Sequence, residues 1–351
     1  MAESTALSPQ SPTHDLAVII VSTNEAKWLP ACLTTVFAQA GDISLDVVVA
    51  DNESTDGTAE LIARDFPAAR VVRSRNLGFS HANNRALMSC DARYVLFLNP
   101  DTEIVAGTFA ELVAALDARP EVGLAGVRHL TGDGALFPTI RRFPNVRRSF
   151  GQALAAERWA VRPGWSCERE LDESIYDREV ECDWTTGAFM IARREALEGS
   201  GFLDERFFIY SEETDLCFRI KESGWAVRHL PLMTIIHHAG KAGLSPKMEA
   251  QNAYARMQYA HKHFSRPQRA SYRLTLVLGH GLRWATVGRR DSARRRAEAQ
   301  ALATLTGRAE PPFGAPPGVA VQEREEDANA SLVAATALEL IPANQLQEEP
   351  R

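Results

Sequence analysis

Five cysteines (Cys32, Cys90, Cys167, Cys182 and Cys217) are all that 351 residues offer, and no two form a Cys-x-x-Cys pair. A set this sparse and odd in number excludes a disulfide framework and a thiolate metal site. Reduced, buried thiols in a cytosolic protein are the expectation. No apolar run is long enough to span a bilayer; the nearest, Leu274 to Leu282, is broken by Gly279, His280 and Gly281. The first residues lack the basic start and apolar core of a signal peptide. No glycine fingerprint Gly-x-Gly-x-x-Gly follows the first apolar run, and no Gly-x-x-x-x-Gly-Lys-Ser/Thr occurs. A dinucleotide site and a P-loop are thereby excluded. Positive charge is not in excess either: the formal net charge is -6, which argues against a general nucleic-acid binder. Internal repeats are absent.

What is present is an ordinary core, with 45% apolar residues, and a chain long enough for one large domain or a domain with an appended module. From Leu16 onward, short β-branched runs alternate with amphipathic stretches. Leu16–Val21 ends in Ser22-Thr23-Asn24-Glu25, and Leu45–Ala50 ends in Asp51-Asn52-Glu53-Ser54-Thr55-Asp56-Gly57. Arg70–Arg73 ends in Ser74-Arg75-Asn76-Leu77-Gly78, and Tyr94–Leu98 ends in Asn99-Pro100-Asp101. Helical patterns fill the gaps over Trp28–Gln39, Thr58–Asp65, His81–Ser89 and Phe109–Ala118. Continuous apolar strands alternating with helices predict an α/β fold, a mostly parallel central sheet with helices on both faces. Ligands of such sheets bind outside the carboxyl ends of the strands, and here each of those ends is polar. Any one polar end is ordinary turn chemistry, but several on one rim suggest a shared pocket. An acidic rim that holds phosphates needs a cation, and Asp101 is the obvious oxygen ligand for Mg2+ or Mn2+.

A second stretch, Asp183 to Arg219, centres on Glu212-Glu213, where the apolar run Phe207–Tyr210 turns into a helix. Ser211 reads as its N-cap, Leu216 and Ile220 recur at helical spacing, and Gly224 supplies the stop. One acidic residue in a first turn merely complements the helix dipole. Two adjacent carboxylates on a core-facing edge repel each other and lose solvent, which raises one pKa and suits a general base. Either glutamate fits that role.

Together these residues resemble an inverting family 2 glycosyltransferase with the GT-A nucleotide-sugar fold, most like bacterial rhamnosyltransferases. The resemblance rests on Thr23-Asn24-Glu25, Asp51 to Gly57, Asn76 to Phe79 with Asn83-Asn84, and Asn99-Pro100-Asp101. It continues through Gly187 to Met190 with Arg193-Arg194, Phe202 to Cys217, and His237 to Lys241, in family-like order from about Leu16 to Lys262. It implies that Asp51 accepts a hydrogen bond from a pyrimidine N3-H, and that Thr23, Asn24, Glu25, Asn76 and Asn99 line the nucleotide pocket. It further implies that Asp101 holds Mg2+ or Mn2+ against the donor diphosphate with His237 as a second metal or phosphate ligand. Glu213 aligns with the catalytic base, and Glu212 stays as the alternative. Asn99 replaces the first Asp of the family's metal motif, which predicts loose metal binding. Thr23 replaces an aromatic residue, and Glu213 replaces the commoner Asp. Trp184 stacks on a sugar face or is a core tryptophan; Gly187 gives close approach to the donor sugar or is a plain turn. Arg141-Arg142 and Arg147-Arg148 meet an anionic acceptor or form a solvated loop, with the loop favoured.

The resemblance implies transfer of L-rhamnose from dTDP-rhamnose to a lipid-linked or polysaccharide acceptor in cell-surface glycan synthesis. The alternatives are a UDP-sugar donor (N-acetylglucosamine or galactofuranose) or a catalytically silent nucleotide-sugar scaffold. A helix is expected over 251–264. From Arg256 to Arg296 the charged residues are basic except Asp291, with leucines and Trp284 interleaved. Such a segment reads as one lying on an anionic membrane surface, with homo-oligomerisation as the alternative. The expected location is cytoplasmic, peripheral at the inner face of the plasma membrane. The expected division is a disordered N-terminus (1–14), a catalytic GT-A domain (15–250), a basic amphipathic helical extension (251–306) and a low-complexity, disordered tail (307–351) with a transient helix from Ser331 to Leu340.

Overall fold

The computed structural model describes residues 12–158, 163–238, 245–287 and 291–313. The N-terminal residues 1–11, the Gly240 and Lys241 of the histidine motif, and the tail beyond 313 with its expected helix lie outside the described residues. The chain runs β1 (His14–Ser22), α1 (Leu29–Ala38), β2 (Leu45–Asn52), α2 (Thr58–Asp65), β3 (Ala69–Ser74), α3 (Phe79–Leu87) and β4 (Ala92–Leu98). Then come β5 (Thr102–Ala106), α4 (Phe109–Asp117), β6 (Val122–Thr131), α5 (Val146–Ala153), β7 (Val180–Glu181), β8 (Phe189–Arg193) and α6 (Arg194–Ser200). The last elements are α7 (Glu212–Glu222), β9 (Ala226–His237), α8 (Pro246–His263), α9 (Arg266–Thr286) and α10 (Ser292–Leu305).

The strands form one nine-stranded sheet in the order β3-β2-β1-β4-β8-β6-β9-β5, with β7 paired to β9. The first four strands pair in parallel, as continuous apolar runs predict. Beyond β4 the pairing is mixed: β8 runs antiparallel to both β4 and β6, while β6 and β9 are parallel. Alternate residues of β1 serve opposite layers. Leu16, Val18 and Ile20 pack with Leu29 and Leu33 of α1 and Phe109 and Leu112 of α4. Ala17, Ile19 and Val21 pack with Ala82 and Ala86 of α3 and Leu216 and Ile220 of α7. This is the period-2 alternation of a strand covered on both sides. Each fully buried valine, leucine or isoleucine contributes about 1.5–3 kcal/mol to that core. All five cysteines are buried and free.

The expected helix over 251–264 begins earlier, at Pro246, because proline suits a first helical position that needs no N–H donor. Helices α8, α9 and α10 close on Ala253, Met257, Ala260, Tyr272, Leu276, Ala301 and Leu305. This three-helix unit is tied to the sheet domain through α7: Lys262 Nζ and His263 Nε2 of α8 reach Asp215 at 2.9 and 2.7 Å.

Candidate active site

The parallel strands β1, β2, β3 and β4 deliver their polar ends to one rim. At the first end, Asn24 takes a left-handed backbone, φ 55°, and its Oδ1 accepts from Thr55 N at 2.6 Å. Asn24 N donates to Ser54 Oγ at 2.9 Å, and the Glu25 carbonyl accepts from Trp28 and Leu29 as α1 begins. Thr23 and Glu25 are half-buried beside it. At the second end Asp51 is buried and its Oδ1 accepts from Ser54 N at 3.1 Å. Asp56 accepts from Ala26 N and from Thr58, so it links this turn to the first one as well as starting α2. Asn52 Nδ2 donates to Asn76 Oδ1 at 3.0 Å and brings the third end alongside.

The fourth end is the Asn99–Thr102 turn, closed by Thr102 Oγ1 donating to Asn99 O at 2.7 Å. Antiparallel pairing of β5 with β9 sets Thr102 opposite His237, and His238 N donates to Asp101 O at 2.9 Å. The same pairing places His237 Nε2 3.3 Å from Asp101 Oδ1 and 3.4 Å from Asn99 Nδ2. A carboxylate oxygen and an imidazole nitrogen thus converge, with His237 Nδ1 buried and unpartnered on the far side of the ring. This donor set fits a hard divalent cation whose other positions are left to phosphate oxygens. Glu249, His280 and Glu298 also gather ligand atoms within 4.8 Å. There Glu298 is already engaged by His280 Nδ1 at 2.7 Å and Arg283 Nε at 2.9 Å, so the group is an ion-pair network among α8, α9 and α10.

Asn99 N donates to Ala188 O at 3.0 Å, which carries the β4–β8 pairing to the neighbour of Gly187. A Cβ built on Gly187 would touch only Glu213 Cβ, at 3.8 Å, an ordinary contact. A short path therefore runs from Asp101 through His237, Asn99 and the Ala188–Gly187 backbone to Glu213. The third strand end closes the ring: Phe79 N donates to Phe208 O at 2.6 Å, just ahead of the glutamates. Gly78 has φ 112°, and a Cβ there would stand 2.6 Å from Phe208 O, so this crossing requires glycine.

Ser211 is not the side-chain cap the sequence suggested. Its φ is 67°, following Tyr210 at 72°, and it makes no capping hydrogen bond; its carbonyl accepts from Asp215 N instead. Non-glycine residues in this region carry strain, which concentrates where a chain aims side chains at a site. Glu212 is 5% exposed and Glu213 half-buried, each with an Oε2 lacking a partner. Burial, then the neighbouring Glu213 charge, holds Glu212 well above the usual glutamate range. Burial also raises Glu213, but first-turn amides and Arg141 pull it back. Both carboxyls are thus raised, Glu212 the further, so Glu213 is the readier of the two to ionise. Trp184 is 8% exposed, with Nε1 donating to Arg142 O at 3.0 Å and the Arg141 guanidinium 5.4 Å from its ring centroid. The indole thus backs the site and does not offer an open face.

A mixed sheet with these strand ends and covering helices is the arrangement of the GT-A fold. Residues 17–175 match the family model described as glycosyl transferase family 2. It is similar to the N-acetylglucosaminyl-diphospho-decaprenol L-rhamnosyltransferase of Mycobacterium tuberculosis, 29% identical over 247 residues, covering 67% of this chain and 80% of that protein. It is also similar to rhamnosyltransferase WbbL of Escherichia coli, 25% identical over 238 residues, covering 63% and 83%. Among solved structures it resembles GalNAc-T7 with UDP, GalNAc and Mn2+, with a TM-score of 0.51 at 12% identity, covering 84% of this chain and 56% of that one. That last likeness bears on the fold alone.

Proposed function

We propose that the chain transfers a sugar, L-rhamnose from dTDP-rhamnose, with inversion, to a hydroxyl of a lipid-linked or polysaccharide acceptor. The observation that supports this reading is the chain of contacts from Asp101 through His237, Asn99 and Gly187 to Glu213, which links the proposed phosphate-and-cation station to the proposed base. Asp51, Asn76 and the Thr23–Glu25 turn hold the nucleotide, and Asp51 reads the pyrimidine N3-H that thymine and uracil share. Glu213 takes the proton of the acceptor hydroxyl. The freed oxygen bonds to the anomeric carbon from the face opposite the nucleoside diphosphate, and the bond to that diphosphate breaks. Asp101 and His237 would hold Mg2+ or Mn2+, which when bound draws negative charge from the leaving group. Holding both substrates in line supplies much of the remaining acceleration. The donor choice leans on the rhamnosyltransferase relatives. Incubating the protein with a panel of dTDP- and UDP-sugars and a membrane extract, then measuring which nucleoside diphosphate is released, tests it. Release of UDP alone overturns the rhamnose assignment, and release of neither overturns the transferase.

The place of work we propose is the anionic face of a membrane. No described helix is long and apolar enough to cross one. Helix α9 instead exposes Leu274 (69%), Leu278 and Leu282 at successive four-residue steps, with Trp284 at its end. Arg256, Lys262 and Arg283 are consumed by Glu168, Asp204 with Asp215, and Glu298, while Arg266 and Arg296 stay exposed. An apolar stripe flanked by cations suits an anionic lipid surface, at about 1 kcal/mol per basic residue near it. Co-sedimentation with phosphatidylserine vesicles should fall when Leu274 and Leu278 become glutamate. Unchanged sedimentation removes α9 from the contact.

A further inference from the structure

We propose that Arg141 is the site for an anionic group of the acceptor, a phosphate standing one sugar ring from the hydroxyl that Glu213 deprotonates. The inference rests on the functional reading above. Arg141 lies in the segment that follows β6, and its backbone is strapped to the approach to Gly187. Its N–H donates to Trp184 O at 3.0 Å, and its carbonyl accepts from Asp183 N at 3.1 Å. The guanidinium lies over the Trp184 indole, and its field reaches Glu213. Both sides of the fork's stem are therefore fixed.

What is missing is a counter-charge. Arg141 Nε is sealed from solvent and has no hydrogen-bond partner, although the residue as a whole keeps partial exposure. Arg142 pairs with Glu170 and Arg169 with Glu157, while Arg148, whose Nε is also buried without a partner, donates through Nη1 to Phe143 O. The nearby carboxylates are likewise taken: Glu168 holds Arg256, and Glu170 holds Arg142. Glu213, the remaining one, keeps its own Oε2 unpartnered, so the two opposite charges lie close without bonding. A structural ion pair would have closed that gap. Burial pushes Arg141 down to about 10, which still leaves it protonated at neutral pH. A half-buried guanidinium without a partner costs stability unless an anion completes it. Its planar fork matches two phosphate oxygens at once.

The donor's own diphosphate is assigned to the Asp101–His237 station, which the path through Asn99 and Gly187 separates from Arg141. The acceptor enters on the Glu213 side, so its anion is the one Arg141 meets. A neutral acceptor would leave the guanidinium unpaired, which makes Arg141 a device for rejecting acceptors without phosphate.

The test uses the full chain, dTDP-rhamnose and two acceptors: a short-chain N-acetylglucosaminyl diphosphate lipid and neutral octyl N-acetylglucosaminide. Wild type should show a much lower KM for the first. Arg141→Gln should raise that KM about ten- to a hundredfold, the worth of a lost charged hydrogen bond, and leave the neutral acceptor's KM in place. Arg141→Lys should fall between them, because a point charge replaces the fork. Should Arg141→Gln fail to fold by circular dichroism, the lysine variant carries the comparison alone. An equal fall in kcat for both acceptors, with the KM ratio intact, overturns the proposal in favour of an action on Glu213. A raised donor KM overturns it in favour of the donor diphosphate. Wild type that turns over but does not distinguish the acceptors sinks this inference alone, whereas no nucleoside diphosphate release from any donor sinks the functional reading beneath it.

Discussion

Two carboxylates stand two residues apart on α7 and are driven in opposite directions. Burial raises Glu213. The same burial would raise Asp215, which is 0% exposed, but His263, Arg219 and Lys262 together hold it below the ordinary aspartate value. Their contacts are Nε2 at 2.7 Å from His263, Nε at 2.8 Å from Arg219 and Nζ at 2.9 Å from Lys262. One helix thus carries a carboxylate left uncompensated and another compensated three times over. The acid that joins α7 to α8 is given cations; the other, Glu213, forms no ion pair among the described residues. The proposed division between a holding acid and a working acid rests on that difference.

The sharpest way to break the comparison is to neutralise the uncompensated pair one member at a time. Glu213→Gln should cut nucleoside diphosphate release in the presence of acceptor by about a thousandfold, the usual worth of a general base. Its thermal unfolding should be unchanged or higher, because a buried charge without a partner is removed. Glu212→Gln removes the carboxyl that is raised further and should keep activity within a few-fold. If the two variants exchange these outcomes, Glu212 is the base.

Asp215→Asn attacks the other side. It leaves His263 and Arg219 without their counter-charge and Lys262 with Asp204 alone, and breaking a buried pair this way costs about 3–5 kcal/mol. Urea denaturation should show the loss. A midpoint equal to wild type would mean that the three-helix unit does not depend on this link.

pH separates the two carboxylates without mutation. Asp215 titrates below its usual 3.8 when folded, so its stabilisation is fully present above that value and is lost as pH falls through the depressed one. Glu212 runs the other way: its folded value lies well above 4.5, so its contribution is present below 4.5 and is lost as pH rises toward that folded value. Glu213, raised above 4.5, must ionise to act. The acid limb of kcat/KM should therefore sit above 4.5, in a range where unfolding still reports a fully paired Asp215. An acid limb that coincides with acid unfolding would show that activity is lost with the fold and not with the base.

Much of this was readable in residue order, and what was not has a common cause. Thr58–Asp65 as a helix and Leu45 onward as a strand follow from apolar periodicity, because burial on both faces leaves its mark on every residue. The gathering of polar strand ends followed from the parallel topology. The side-chain cap expected at Ser211 did not form, since its left-handed backbone accompanies the crossing of Phe208 over Gly78, a contact from a distant loop. Of the cations on Asp215, Arg219 stands at the i+4 spacing a helix pattern shows, but Lys262 and His263 lie 47 and 48 residues away in α8, beyond any local pattern. Arg141 and Arg142 looked alike in sequence; only the pairing of Arg142 with Glu170 set them apart. The indole of Trp184 was legible as aromatic near the site, but its burial in the core layer with Ile140 and Cys182 was not.

The smallest expected effect probes the space beside the base. Gly187 has no left-handed backbone, and a methyl there would meet only Glu213 Cβ at 3.8 Å. Gly187→Ala should therefore change unfolding free energy by no more than about 0.5 kcal/mol, the level of a substitution that breaks nothing. Gly78→Ala, forced against Phe208 O at φ 112°, should cost about 1–3 kcal/mol in strain and loosen the loop ahead of the glutamates. With the fold of Gly187→Ala intact, its kinetics read the ligand alone. A several-fold rise in donor KM would put the donor sugar against residue 187. A donor KM equal to wild type would move the sugar away from that wall and leave Glu213 to be approached from the acceptor side only.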